Sequence, residues 1–259
     1  MQKYVEFKRD NLTLRGMAHI PDNISKKVPA IIMFHGFTAS SVGFSFQFVK
    51  IARELEKYGL ATFRFDFTGS GESDGDFIDV TLTSELEDGK AIIDYVKSLD
   101  FIDETRIGLM GMSFGGLIAS MLGGIRKDDI KALYIASPAT CAIDDIKSGH
   151  VQGRPIDEEA KLKGYVDLKG LKVGLGYAED CVKYDPYEIA KDFDKNVLIM
   201  HIEGDPMVPV ECAEKYLDIY KDRAKFVPVK GNSHSYDNVE KMELLKNNIL
   251  EFFSDESIL

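Results

Sequence analysis

Cysteine is scarce in this sequence: three in 259 residues, at Cys141, Cys181 and Cys212. An odd number at wide spacing makes neither a disulfide framework nor a zinc site, so the expectation is three reduced, partly buried thiols. No apolar run is long enough to span a bilayer. The first residues, Met1-Gln2-Lys3-Tyr4-Val5-Glu6, lack the apolar core of a secretory signal. Together these absences set the expectation of a cytoplasmic protein. Positive charge is also in deficit: 32 Lys and Arg face 43 Asp and Glu, for a formal net charge of -11. Such a surface repels phosphate backbones and anionic lipid, so neither nucleic acid nor membrane is an expected partner. H-E-x-x-H, paired C-x-x-C and a Walker lysine are missing, so no metal and no cofactor are expected. Gly69-Ser70-Gly71 lacks the third glycine of a dinucleotide fingerprint.

What is present is alternation. Tyr4 to Arg9 and Leu12 to Ile20 read as a hairpin turning at Asp10-Asn11. The short apolar runs Ala30–Phe34, Ala61–Phe67, Arg106–Gly111, Lys131–Ala136, Val197–Ile202 and Lys225–Val229 suit strands buried on both faces. Helical spacing covers Phe46–Tyr58, Thr83–Leu99, Phe114–Leu122, Val210–Tyr220 and Asn238–Phe253. In Thr83–Leu99 acids come early and Lys97 late, as helix ends prefer. Strands alternating with helices call for an α/β fold: a mostly parallel eight-stranded sheet with helices on both faces, as one domain over residues 1–259. About sixty residues separate the strands near 135 and 198, far more than a usual connection. That stretch, 140–195, reads as a cap inserted between the sixth and seventh strands; a surface insertion of no functional weight is the plainer alternative.

Gly111-Met112-Ser113-Phe114-Gly115 matches G-x-S-x-G between a predicted strand and a predicted helix. That context makes Ser113 the candidate nucleophile rather than part of a merely close-packed turn. A serine hydroxyl needs a base. Of five histidines, only His234 follows the last predicted strand and precedes the last helix. His201 lies inside a strand and reads as core. The base needs a carboxylate that fixes its tautomer, and the chain order serine, acid, histidine selects Asp205 after the strand Val197–Ile202. Glu203 is the local rival, and a plain Asp-Pro turn is the bland reading of Asp205. The oxyanion of a tetrahedral intermediate needs two N–H donors. Phe114 and the His35-Gly36-Phe37 turn offer them, with Phe37 the expected second donor. In the turn-rich segment Arg64–Gly75, Asp66 and Ser73 are expected to bond the backbone of their own loop.

These residues resemble the α/β-hydrolase superfamily along nearly the whole chain. More narrowly, the chain is similar to bacterial cinnamoyl (feruloyl) esterases. The narrower likeness rests on His35-Gly36-Phe37-Thr38-Ala39, on Phe63-Arg64-Phe65-Asp66-Phe67 with Gly69-Ser70-Gly71-Glu72-Ser73-Asp74-Gly75, and on Ser113, Asp205 and His234. The resemblance implies a serine carboxylesterase working through an acyl-enzyme on a small-molecule ester, with the cap enclosing a phenolic acyl group. It implies substrate contacts at Asp145, Gln152 and Tyr177, where a solvated cap residue is the competing reading. Met112-Ser113-Phe114 replaces the family's His-Ser-Gln, and Glu203-Gly204-Asp205-Pro206 also departs from its pattern; both differences bear on acyl preference. A short-chain or lipase-like esterase and a non-catalytic ligand binder on the same scaffold are the rival functions, with a peptidase behind them. A homodimer stays open.

Overall fold

A computed structural model describes all 259 residues. The opening hairpin pairs β1 (Gln2–Arg9) with β2 (Leu12–His19). There follow β3 (Val28–Phe34), α1 (Gln47–Lys57), β4 (Ala61–Phe65), α2 (Leu82–Lys97), β5 (Ile102–Met112), α3 (Phe114–Ile125) and β6 (Ala132–Ala136). After an irregular segment come β11 (Asn196–Ile202), α8 (Glu211–Tyr220), β12 (Ala224–Val229) and α9 (Val239–Ser254). The eight strands form one sheet in the order β1-β2-β4-β3-β5-β6-β11-β12. Only β1 with β2 and β2 with β4 run antiparallel; the other pairs are parallel.

The continuous apolar runs are explained by two cores, one on each sheet face. Alternate side chains of a strand point to opposite faces. In β3, Ala30, Ile32 and Phe34 join the core under α2, α3 and α8, while Ile31 and Met33 join the core under α1 and α9. β11 divides likewise, Val197 and Ile199 one way, Leu198, Met200 and Ile202 the other. A strand buried on both sides has no room for a polar period.

The start of α2 differs from its sequence reading. The capping box is made by Thr81 and Ser84, ahead of the expected start. Glu85, read as an early acid facing the helix dipole, is 2% exposed. Burial, with Asp88 beside it, holds its carboxyl well above the usual carboxylate range.

The segment between β6 and β11 holds four short helices and two antiparallel ribbons: α4 (Cys141–Lys147), β7 (His150–Val151) with β8 (Arg154–Pro155), α5 (Glu158–Lys163), β9 (Tyr165–Leu168) with β10 (Leu171–Gly174), α6 (Leu175–Cys181) and α7 (Pro186–Ala190). Its buried residues Ile143, Ile146, Val151, Val166, Val173 and Tyr177 join the core of the α2, α3 and α8 face. No helix of the molecule is long and apolar enough to cross a membrane.

Candidate active site

The parallel strands end along one rim, and the loops there bring Ser113, Asp205 and His234 together. Ser113 lies between β5 and α3 at φ 56° and ψ -124°. A non-glycine residue in that region costs on the order of 1–3 kcal/mol, and such strain collects at functional turns. The turn closes because Gly111 carries no side chain: a Cβ there would lie 2.0 Å from the Gly115 carbonyl oxygen. The Ser113 N–H is fixed by the Ala136 carbonyl at 2.9 Å, and its carbonyl accepts from Gly116 and Ala139.

His234 lies in the loop between β12 and α9. Its Nε2 is 2.8 Å from Ser113 Oγ and its Nδ1 is 2.7 Å from Asp205 Oδ2. A carboxylate only accepts, so Nδ1 carries the proton and donates it, leaving Nε2 free to accept from the serine hydroxyl. Asp205 follows β11, and its side chain is fully buried. Its other oxygen, Oδ1, accepts from the N–H groups of Met207 at 2.8 Å and Val208 at 3.0 Å. Burial alone would raise its pKa; the bonds from His234 and from those two amides outweigh burial and hold it below its ordinary value. The rival Glu203 is exposed, and the carboxylate on His234 Nδ1 is that of Asp205. His201 is a core histidine, 0% exposed, with Nε2 donating to the Val208 carbonyl at 2.9 Å.

The loop after β3 faces the serine. Gly36 makes the approach possible, since a Cβ there would come within 3.2 Å of Ser113 Cβ. His35 holds this loop: Nδ1–H donates to the Gly36 carbonyl at 2.9 Å and Nε2 accepts the Phe67 N–H at 3.1 Å. Burial lowers its pKa, which keeps it neutral and structural. The N–H groups of Phe37 and Phe114 bond no backbone carbonyl. Asp66 works between loops as well as within its own. Oδ2 accepts from Glu72, and Oδ1 accepts the Ser41 N–H at 2.6 Å, which sequence reading did not foresee. Ser73 Oγ donates to the Asp66 carbonyl, as expected.

Two spaces open in front of Ser113. One is a narrow apolar slot walled by Phe37, Phe114, Ala142, Ile146, Val151, Gln152 and Tyr177. The Tyr177 ring stacks on Phe37 at 4.7 Å and leans on Phe114 at 5.9 Å. The other is a wider cleft of about 180 Å³ that includes His234, Thr38, Gln47, Ser137, Gln152 and Lys169. Of the three cap residues singled out from sequence, Gln152 and Tyr177 reach the slot. Asp145 does not line it. Its Oδ2 accepts the Gly153 N–H at 3.0 Å, bracing the turn that carries Gln152, so its short side chain is spent on the backbone. The three thiols are free. Their wide sequence spacing hides a spatial neighbourhood: Cys141 packs against the small cluster of Ala139, Val208 and Cys212 beside the Asp205 loop. Lys169 was not foreseen. Its only sequence signal is the Lys169-Gly170 dipeptide between two short alternating runs.

A family model described as serine aminopeptidase, S33 matches residues 25–166. Among solved structures, Est1E from Butyrivibrio proteoclasticus with ferulic acid bound is similar at a TM-score of 0.89 and 31% identity, covering 98% of this chain and 99% of that one. The mitochondrial palmitoyl-protein thioesterase ABHD10 of Mus musculus is 26% identical over 76% of this chain and 59% of its own length. An uncharacterised 31.7 kDa protein of Escherichia coli is 36% identical over 90 residues; the match spans 35% of this chain and 30% of that relative.

Proposed function

We propose that this chain, which belongs to the α/β-hydrolases in the serine aminopeptidase S33 family, is a carboxylic ester hydrolase that prefers hydroxycinnamoyl esters. The observation that carries the chemistry is the single imidazole at 2.8 Å from the Ser113 hydroxyl and 2.7 Å from the Asp205 carboxylate. Ser113 Oγ attacks the ester carbonyl carbon as its proton passes to His234 Nε2. The carbonyl electron pair moves onto oxygen, held by the N–H groups of Phe37 and Phe114. Collapse breaks the bond to the alcohol oxygen, which takes the proton from His234. Water then attacks the acyl-enzyme and gives His234 a proton. That proton returns to Ser113 Oγ as the acid leaves.

The acyl preference rests on the slot. Three aromatic side chains, Phe37, Phe114 and Tyr177, crowd one end of it beside Ser113. A flat ring stacks on such walls in offset or edge geometry, worth about 0.5–1.5 kcal/mol per pair beyond area burial. The likeness to Est1E, crystallised with ferulic acid, supports the same choice. The segment 140–195 acts as the cap that closes the slot. An aminopeptidase substrate would bring a free ammonium group, and no carboxylate lines either space to receive it.

The test compares methyl ferulate with a butyrate ester in wild type and Ser113→Ala. Wild type should favour the ferulate ester in kcat/KM. Ser113→Ala should lose on the order of 10⁶-fold in kcat. A variant that keeps turning over p-nitrophenyl acetate at the wild-type rate overturns the mechanism; a preference for butyrate overturns the acyl assignment alone.

A further inference from the structure

The two spaces at Ser113 differ in what else they touch. The aromatic slot does not include His234, whereas the wider cleft is lined by Ser113 and His234 together. An imidazole that hands a proton to the departing oxygen must lie beside it. On the ester-hydrolase reading given above, on which this inference rests, the wider cleft therefore takes the alcohol. Its lining holds no Asp or Glu and one permanently charged side chain, Lys169.

Lys169 stands at the tip of the β9–β10 ribbon. Leu168 pairs with Leu171, so Lys169 and Gly170 make a two-residue turn, at φ 54° and 92°. Positive φ at both central positions is the type I′ turn, for which Asn, Asp or Gly come first. Holding an ordinary L-residue there costs roughly 1–2 kcal/mol. The β7–β8 ribbon repeats the arrangement with Gln152 at φ 47° and Gly153 at φ 73°. Both tips thus carry a long polar side chain in a strained position, and both side chains face the space before Ser113.

Most other lysines of this segment are engaged, and Lys147, which is not, does not line the cleft. Lys161 pairs with Glu158, Lys163 with Glu159 and Lys183 with Asp180, and Lys172 lies over the Tyr165 ring. Lys169 has no carboxylate within 4.0 Å. A lone cation over a cleft in a chain of net charge -11 is a local reversal of field, and fields of this kind select ligands by sign. We propose that the alcohol portion of the substrate carries an anionic group, and that Lys169 is the residue that selects it.

The experiment uses two esters of glycolic acid and glycolamide on a common acyl group, one with a free carboxylate and one with the neutral amide. It is run with feruloyl and with acetyl as the acyl part. Wild type should favour the carboxylate ester about fivefold in kcat/KM, mainly through KM, as expected for one partly exposed ion pair. High salt should erase that ratio. Lys169→Asn keeps the turn chemistry and should bring the ratio near one, with thermal stability equal or higher. Lys169→Glu should invert it. An unchanged ratio across wild type and both variants overturns the role of Lys169. Failure to cleave any of the four esters overturns the esterase reading, and this inference with it.

Discussion

At the residue scale, Asp205 separates geometry from charge. Its Oδ1 is held by two backbone N–H groups, so the side chain is fixed whether or not His234 is charged. In Asp205→Asn, the amide oxygen keeps those two bonds and the NH₂ group turns towards His234. The imidazole must then accept at Nδ1 and carry its proton on Nε2, where it can no longer take one from Ser113. We expect kcat to fall by about 10⁴-fold with little change in melting temperature, as the wrong tautomer demands; a loss of less than tenfold in steady-state kinetics would refute the tautomer argument. Ser113, Asp205 and His234 were legible because chain order and strand ends are themselves sequence patterns. Asp145 was not, because whether a cap carboxylate meets substrate or a neighbouring N–H depends on where the Gly153 turn falls.

At the element scale, legibility followed periodicity. β3, β11 and α9 announce themselves because two-sided burial or a helical stripe leaves a long, regular trace. The elements between β6 and β11 do not. Strands of two and four residues are defined by their positive-φ turns more than by their side chains, and alternating runs as short as those flanking Lys169-Gly170 leave little trace. The α2 start shows the opposite failure: its composition was read correctly, but the depth of Glu85 depends on what α2 packs against. That depth has a consequence. Buried, Glu85 stays protonated after the unfolded chain has ionised near pH 4.5. The unfolded state then binds fewer protons, so this group takes stability away as pH rises above 4.5, by at most about 1.4 kcal/mol per pH unit. Glu85→Gln should therefore melt higher than wild type at pH 8 and by a smaller margin at pH 5. Melting curves at both values check this, and an equal margin would mean that Glu85 is ionised in place.

At the scale of the whole molecule, the hairpin edge of the sheet is tied to the Ser113 rim by one buried polar chain. Arg64 Nε donates to His19 Nε2 at 3.1 Å, and Arg64 Nη1 donates to the Ser41 carbonyl. Ser41, in the loop that follows Phe37 and Thr38, in turn gives its N–H to Asp66. Accepting from Arg64 requires an unprotonated Nε2, and the surroundings enforce it. Burial first, then the charge of Arg64, pull the His19 pKa down to about 4; Glu56 at 3.6 Å opposes them and Arg53 adds to them. Between pH 6.5 and about 4 the unfolded chain binds a proton at this histidine that the folded protein refuses. Stability from His19 is complete above pH 6.5 and drains away as the pH falls, by on the order of 3 kcal/mol. A urea midpoint measured at pH 7 and again at pH 5 should fall accordingly. His19→Gln, which can still accept from Arg64, should flatten that dependence while lowering stability at pH 7 only modestly. A pH slope that survives the substitution would place the acid-sensitive group elsewhere.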